Sequence, residues 1–154
     1  MLIYIDMDDV LCDYTAAFHQ AINLTPSIAF PQSQYGFYAN LTPIIGAIES
    51  VNTLIKSEKF DPYILTAPSN RNPLSYTEKR VWIEKYFGIA FTEKLIICAN
   101  KSLLKGDILI DDQLSGRGQD KFDGQLIHFG STAYPNWKSI MNTLNTILAR
   151  HNNK

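Results

Sequence analysis

Short apolar runs and longer amphipathic stretches alternate along the chain. Each short run is continuous and bounded by polar or turn-forming residues, which is typical of a strand buried on both faces. The predicted strands cover residues 2–5, 62–67, 95–98, 108–110 and 126–129. Between them apolar residues recur at helical spacing, and the predicted helices cover residues 14–23, 44–57, 75–87 and 136–150. This alternation favours an α/β fold with one doubly wound parallel sheet.

Residues 25–43 interrupt the pattern. This segment contains three prolines, one glycine and four aromatic residues among polar side chains. So many aromatic residues in so little regular structure are not typical of a plain linker. With the helix before it, the segment predicts a small, mainly helical cap over residues 14–43, inserted into a core of residues 1–13 and 44–154. The aromatic side chains either form the cap's own small core or line a pocket in which a flat ring stacks.

Four carboxylates follow the first strand within eight residues. Asp6 and Asp8 lie two positions apart, so in extended backbone their side chains leave on the same side. Two carboxylates this close repel each other unless a cation or a shared proton compensates. Asp also serves in turns and helix caps, and Asp13 suits that role for the first helix. By the same reasoning, Ser75 or Thr77 is expected to cap the third helix.

The other polar residues of interest also stand just past predicted strands. They are Thr66, Lys101, Asp111 and Asp112. Because the carboxyl ends of parallel strands share one edge of a sheet, we expect these side chains to meet Asp6 and Asp8 in one crevice. Carboxylates are hard ligands that suit Mg²⁺, and hydroxyl and ammonium donors suit a phosphoryl group. Taken alone, a strand-end Thr such as Thr66 usually satisfies backbone groups, and a single Lys such as Lys101 is usually solvated.

Composition and charge limit the kinds of molecule that the protein is expected to bind. A length of 154 residues predicts one domain, and a net charge of −1 offers no basic field to hold a nucleic-acid polymer. No apolar run approaches membrane-spanning length, and carboxylates occupy the stretch where a signal peptide has its apolar core. Cys12 and Cys98 are expected to be free, buried thiols. These features predict a cytoplasmic protein with a small-molecule ligand and no membrane partner, with a homodimer as one possible assembly.

In their order along the chain, these motifs resemble those of the haloacid-dehalogenase-like phosphatases. The four matching motifs are Asp6-Met7-Asp8-Asp9-Val10, Thr66, Lys101 and Asp111-Asp112. A closer resemblance is to the 5′(3′)-deoxyribonucleotidases of that superfamily. It is carried by the stretches over residues 6–11, 65–68, 78–88 and 106–112. The resemblance implies a Rossmann-like core and a phosphatase that acts on (deoxy)ribonucleoside monophosphates.

The same resemblance implies a role for each strand-end acid. Asp6 would attack phosphorus and form a phosphoaspartate. Asp8 would protonate the leaving oxygen and then activate the water that hydrolyses the intermediate. Mg²⁺ would be held by the Asp6 side chain, the Asp8 main-chain carbonyl and Asp111, with Asp112 as a ligand through water or as a supporting group.

Phosphate binding is assigned by resemblance to Thr66 and Lys101. Lys79 matches a second basic position that faces the site, although it could equally be an ordinary solvated helix lysine. Tyr14 and Phe18, one and two helical turns beyond the catalytic loop, are expected to contribute to the substrate pocket.

This sequence departs from the resembled pattern in three places. Asp9 stands where glycine is usual, Ala67 stands where a hydroxyl residue is common, and the cap segment is shorter than in the animal enzymes. These departures affect the expected substrate preference more than the expected chemistry. Two alternatives stay open: a phosphatase of this fold for another small phosphomonoester, and a non-catalytic phosphate-binding module.

Overall fold

A five-stranded, all-parallel sheet forms the centre of the molecule. The computed structural model describes residues 1–151, apart from the side chain of residue 151. The strands are β1 (Leu2–Ile5), β2 (Asp61–Thr66), β3 (Leu95–Ile97), β4 (Lys105–Asp111) and β5 (Asp123–His128). Their order in the sheet is β3-β2-β1-β4-β5, which is that of a doubly wound sheet. The predicted α/β fold is therefore confirmed.

Four helices connect or follow these strands. They are α1 (Tyr14–Leu24), α2 (Ala47–Ile55), α3 (Ser75–Phe87) and α4 (Trp137–His151). The prediction that Asp13 caps α1 is confirmed, because its carboxylate accepts a hydrogen bond from the Ala16 amide at 3.0 Å. The prediction that Ser75 or Thr77 caps α3 is wrong. The helix begins at Ser75, whose hydroxyl instead accepts a hydrogen bond from the Ser69 amide.

Both faces of the central strands are buried, as the continuous apolar runs predict. On one face, Ile3 and Ile5 belong to the main core, to which α2, α3 and α4 contribute side chains such as Leu54 and Trp82. On the other face, Tyr4 packs in a second cluster with Leu65, Leu109 and Phe122. The sheet is thus fixed from both sides, which gives the strand ends well-defined positions.

The candidate site lies at the carboxyl ends of β1 and β4, at the point where the order of the strands in the sheet reverses. β1 pairs with β2 on one side and with β4 on the other. Ligands in open α/β sheets bind at such a switch point, outside the carboxyl ends of the strands. The Asp6 amide continues the pairing by donating to the Ile110 carbonyl at 2.9 Å. Asp6 and Asp111 therefore emerge side by side.

Residues 25–43 are largely irregular, with one short 3-10 turn at Pro31–Ser33. The segment is attached to α3 through backbone groups. Glu78 accepts hydrogen bonds from the amides of Gly36 and Tyr38, at 2.7 and 3.0 Å. The Trp82 indole donates to the Leu41 carbonyl. The division of the chain into a cap and a core stays a prediction.

Among residues 1–151, no helix combines the length and the apolar character needed to cross a membrane. Both cysteines are free thiols, as expected, but only Cys12 is buried, whereas Cys98 is half-buried.

Candidate active site

The loop after β1 is folded tightly on itself. The amides of Val10, Leu11 and Cys12 all converge on the Met7 carbonyl, at 2.8 to 3.3 Å. The indole of Trp137, at the start of α4, donates to the Val10 carbonyl at 2.9 Å. These bonds fix the loop that carries the first acidic motif.

Asp9 stands where glycine is usual in the resembled pattern, and its conformation shows how an Asp fits there. Its φ of 57° lies in the left-handed region, where glycine is favoured and Asp is among the better tolerated side chains. Its carboxylate accepts hydrogen bonds from the amide and the hydroxyl of Thr15, at 2.8 and 2.6 Å. The charge of Asp9 is therefore turned towards the first turn of α1, where a helix N-terminus stabilises it.

Lys101 links the two acidic motifs. Its side chain is only 1% exposed, and its ammonium lies 2.9 Å from Asp6 Oδ1 and 2.5 Å from Asp111 Oδ2. Its amide donates to the Arg117 carbonyl at 2.7 Å, which positions the residue. Burial by itself lowers the pKa of Lys101, but the two carboxylates outweigh it and raise the pKa above its ordinary value. Lys101 is therefore a buried, charged partner of Asp6, not a solvated lysine.

Three acids form a candidate metal site. Carboxylate oxygens of Asp6, Asp111 and Asp112 all lie within 4.8 Å of one another. Asp111 is oriented by hydrogen bonds from the Gln113 amide and the Gln119 side chain, at 2.9 and 3.3 Å. Burial, together with the Asp6 and Asp111 charges, raises the pKa of Asp112 to about 6. Three carboxylates this close repel one another and supply hard oxygen donors, so the cluster fits a cation such as Mg²⁺.

Asp8 does not contribute its carboxylate to that cluster. Lys79, which is fully buried, donates to Asp8 Oδ2, Thr66 Oγ1 and the Ala67 carbonyl, at 2.7, 2.8 and 2.7 Å. All three protons of the ammonium are thereby used. The alternative that Lys79 is an ordinary solvated helix lysine is wrong.

The environment of Asp8 favours its protonated form. Burial raises the pKa of Asp8 above its ordinary value, although the Lys79 charge opposes the shift. A carboxyl group with a raised pKa is suited to donate a proton as a general acid. Thr66 lies below this pair, fully buried, and its hydroxyl accepts from Lys79 instead of lining the cavity.

A cavity of about 440 Å³ opens over these residues. Its wall combines strand-end groups with side chains from residues 14–43. The lining residues include Asp6, Asp8, Lys101, Tyr14, Gln32 and Tyr38. Phe18 does not line the cavity, and its ring stacks on Tyr14 with the centroids 6.1 Å apart. Tyr14 also stacks on Tyr38 at 6.1 Å.

Sequence reasoning missed several residues of this site. Glu78 does not line the cavity, but it holds residues 25–43 beside it, and its position next to Lys79 was the available signal. Arg71 and Arg117 line the cavity from loops after β2 and β4, where charged loop residues are common. Gln32 lies in an irregular polar segment, and no periodicity there marks one side chain above another.

Comparisons with known proteins identify the family of the chain. Residues 27–141 match the family described as "5' nucleotidase, deoxy (Pyrimidine), cytosolic type C protein". A protein of Vibrio phage KVP40, provisionally named a 5'(3')-deoxyribonucleotidase, is 34% identical over 151 residues, covering 93% of this chain and 84% of the phage protein.

Two further relatives are cellular proteins. The 5'(3')-deoxyribonucleotidase of Bacillus subtilis (strain 168) is 26% identical over 94% of this chain and 93% of its own length. The human mitochondrial 5'(3')-deoxyribonucleotidase is 29% identical over 72% of this chain and 61% of its own length. The expected resemblance is confirmed: the chain belongs to this 5′-nucleotidase family of phosphoric monoester hydrolases, within the haloacid-dehalogenase-like superfamily.

Proposed function

We propose that the protein is a Mg²⁺-dependent phosphatase of deoxyribonucleoside monophosphates that works through a phosphoaspartate. The observation that carries the proposal is the setting of Asp6. Its carboxylate lies beside a buried ammonium and two further acids, in the same cavity as Asp8. The names of the family's members supply the substrate class.

In the first step, a carboxylate oxygen of Asp6 attacks phosphorus. A bond forms between that oxygen and phosphorus while the bond from phosphorus to the sugar oxygen breaks. Asp8 gives its proton to the departing oxygen, so that an alcohol leaves instead of an alkoxide. The raised pKa of Asp8 supports this role.

In the second step, Asp8 takes a proton from water, and the water oxygen attacks the phosphorus of the phosphoaspartate. The bond between phosphorus and Asp6 breaks, which releases inorganic phosphate and restores the Asp6 carboxylate. Lys79 holds Asp8 in place through its 2.7 Å hydrogen bond in both steps.

Asp6, Asp111 and Asp112, with the main-chain carbonyl of Asp8, would hold the magnesium ion. When bound, Mg²⁺ supplies positive charge beside the transferring phosphoryl group. Lys101 adds a fixed ammonium on the same side. Thr66 and Lys79 are both fully buried and bonded to each other, so they support Asp8 from below instead of binding the phosphate directly. We also propose a cytoplasmic location, which the two free thiols support.

The test is phosphate release from a panel of phosphomonoesters, with Mg²⁺ and then with EDTA. The panel contains dUMP, dTMP, dGMP, 3′-dUMP, UMP, ribose 5-phosphate and phosphoglycolate. We expect metal-dependent release that favours the deoxynucleotides. Release from the sugar phosphate or phosphoglycolate alone would keep the mechanism and overturn the substrate class, and a phosphoryl group retained without turnover would overturn the enzymatic proposal.

A further inference from the structure

A closed ring of hydrogen bonds joins the loop after β3, which carries Lys101, to the end of β4, which carries Asp111. The Lys101 amide donates to the Arg117 carbonyl at 2.7 Å, and the Arg117 amide donates to the side-chain oxygen of Gln119 at 2.8 Å. The side-chain nitrogen of Gln119 donates to Asp111 Oδ1 at 3.3 Å, and the Lys101 ammonium donates to Asp111 Oδ2 at 2.5 Å. Gln119 therefore supplies two of the four bonds in the ring.

Gln119 is held in one orientation. Its side chain is buried, and its amide cannot be turned over, because its oxygen faces an N–H group and its nitrogen faces a carboxylate. Gly118, directly before it, has a φ of 83° and packs against the loop after β3. A Cβ at this position would overlap the Asn100 side-chain oxygen and lie 2.9 Å from the Ser102 amide, so the close approach of the two loops requires glycine.

The hydrogen bonds on Asp111 leave one place for a metal ion. A carboxylate accepts at about four lone-pair positions, divided between its two oxygens. Oδ1 accepts from the Gln113 amide at 2.9 Å and from Gln119, so both of its positions are filled. Oδ2 accepts from Lys101 and, among residues 1–151, from no other group. Asp111 thus has one position left, on Oδ2, through which it can bind a cation.

We propose that Gln119 is a positioning residue that restricts Asp111 to ligation through one oxygen and thereby favours Mg²⁺ relative to Ca²⁺. This inference rests on the magnesium site of the proposed function. Mg²⁺ requires a nearly regular octahedron of ligands, whereas Ca²⁺ also accepts a carboxylate through both oxygens. Without Gln119, Oδ1 has a free lone pair and the carboxylate can turn, which Ca²⁺ tolerates better than Mg²⁺.

The experiment measures metal binding without turnover. The Tm of the full chain is recorded at rising concentrations of MgCl₂ or CaCl₂ at constant ionic strength, and its increase gives a Kd for each ion. The natural protein is compared with Gln119→Met, which keeps the size of the side chain but loses both hydrogen bonds. Gln125→Met, an exposed glutamine of β5, is the matched control. Gln119→Asn, whose amide is one methylene too short to reach both partners, replaces Gln119→Met if that variant does not fold.

For Gln119→Met we expect the Kd for Mg²⁺ to rise about 10-fold, which is typical when a group that orients a metal ligand is removed. The Kd for Ca²⁺ should rise less than about 3-fold, because Ca²⁺ accepts the reoriented carboxylate. Gln119→Asn should shift the two Kd values in the same directions. Gln125→Met should leave both unchanged.

The other outcomes separate this inference from the proposed function. An equal rise in both Kd values, with a lower Tm in the absence of metal, would make Gln119 a purely structural residue and overturn the inference alone. Unchanged Kd values in Gln119→Met would also overturn it alone. If neither ion raises the Tm of the natural protein, the magnesium site of the proposed function is overturned, and this inference with it.

Discussion

Two regions form the cavity, the strand ends and residues 25–43. The strand ends belong to a hydrogen-bonded sheet that is buried on both faces, so they are held more rigidly than residues 25–43. At the strand ends, Asp6, Asp111 and Asp112 lie at the last position of a buried, paired strand or directly after it. Residues 25–43 contain one 3-10 turn and depend on a few bonds to α3, chiefly those from Glu78. Under the proposed function, the rigid region carries the chemistry, and the irregular region lines the cavity beside it.

The two regions also differ in how charge is handled. Strand-end charges such as Asp6 and Lys101 are buried and compensate one another, so removing Lys101 would leave both Asp6 and Asp111 without their counter-charge. From residues 25–43, the cavity wall receives neutral side chains, including Gln32 and Tyr38. Substitutions at the strand ends should therefore change kcat or stability, and substitutions in the irregular region should mainly change KM.

The largest effect is expected for Asp6→Asn. An amide cannot attack phosphorus, so kcat should fall at least about 10³-fold, as is common when a nucleophile is removed. The Tm should change little. Asp13→Asn is the matched control, because Asn also caps helices well and the residue lies outside the cavity. Near-natural turnover by Asp6→Asn would contradict the role of Asp6 as nucleophile.

Next in size is Lys79→Met. Loss of the buried ammonium leaves Asp8 and Thr66 without their partner, and we expect about 2–3 kcal/mol lower free energy of unfolding, since Asp8 is partly exposed. Activity should fall as well, because Asp8 loses its orientation. Urea unfolding and phosphate release measure the two effects. Lys85→Met, an exposed lysine of the same helix, should change neither, and an equal loss there would argue against a specific role for Lys79.

A smaller and more selective effect is expected for Asp111→Asn. Replacing a charged ligand with a neutral one should raise the Mg²⁺ concentration for half-maximal activity at least about 10-fold. Asp107→Asn, an exposed acid on the same strand, should leave the Mg²⁺ titration unchanged. If Asp111→Asn titrates like the natural protein, Asp111 is not a metal ligand.

Glu78→Gln tests the attachment of the irregular region. The amide can no longer accept two N–H bonds from Gly36 and Tyr38, so the segment should loosen, at a cost of about 1–2 kcal/mol in stability. KM for dTMP should rise about 3- to 10-fold while kcat stays within 2-fold. Glu84→Gln, a partly exposed acid of the same helix, serves as control. A loss confined to kcat would show that Glu78 acts on the chemistry instead.

The smallest effect is expected for Phe18→Ala. The Phe18 ring stacks on the Tyr14 ring, and such contacts contribute about 0.5–1.5 kcal/mol. We expect KM to rise about 2- to 3-fold with kcat unchanged. A rise of about 10-fold or more, the size expected when a direct contact is lost, would place Phe18 in contact with substrate.

Local patterns were sufficient to predict the strands and most of the strand-end acids. Apolar runs locate strands because burial on both faces leaves no alternation, and Asp6 and Asp111 follow such runs directly. The pairing of Lys79 with Asp8 could not be predicted from spacing, since the two residues are 71 positions apart and meet only through the fold. The helix-cap prediction at Ser75 failed for a similar reason, because the Ser69 amide competes for its hydroxyl.

The irregular region was the least predictable part of the site. Its conformation depends on bonds to α3 that no periodic pattern encodes, so the sequence indicated aromatic side chains there without indicating which of them reach the cavity. Tyr14 lines the cavity, whereas Phe18, one turn further along the same helix, does not.

The bond between Trp137 and Val10 bears on how the protein is made. It joins two positions 127 residues apart, and it closes the loop that carries Asp6 and Asp8. A chain emerging from the ribosome can pair its first strands early, but this bond cannot form until residue 137 has left the exit tunnel. We therefore expect the first strands of the nascent protein to pair before its catalytic loop is fixed, because the loop is completed only once residue 137 has emerged.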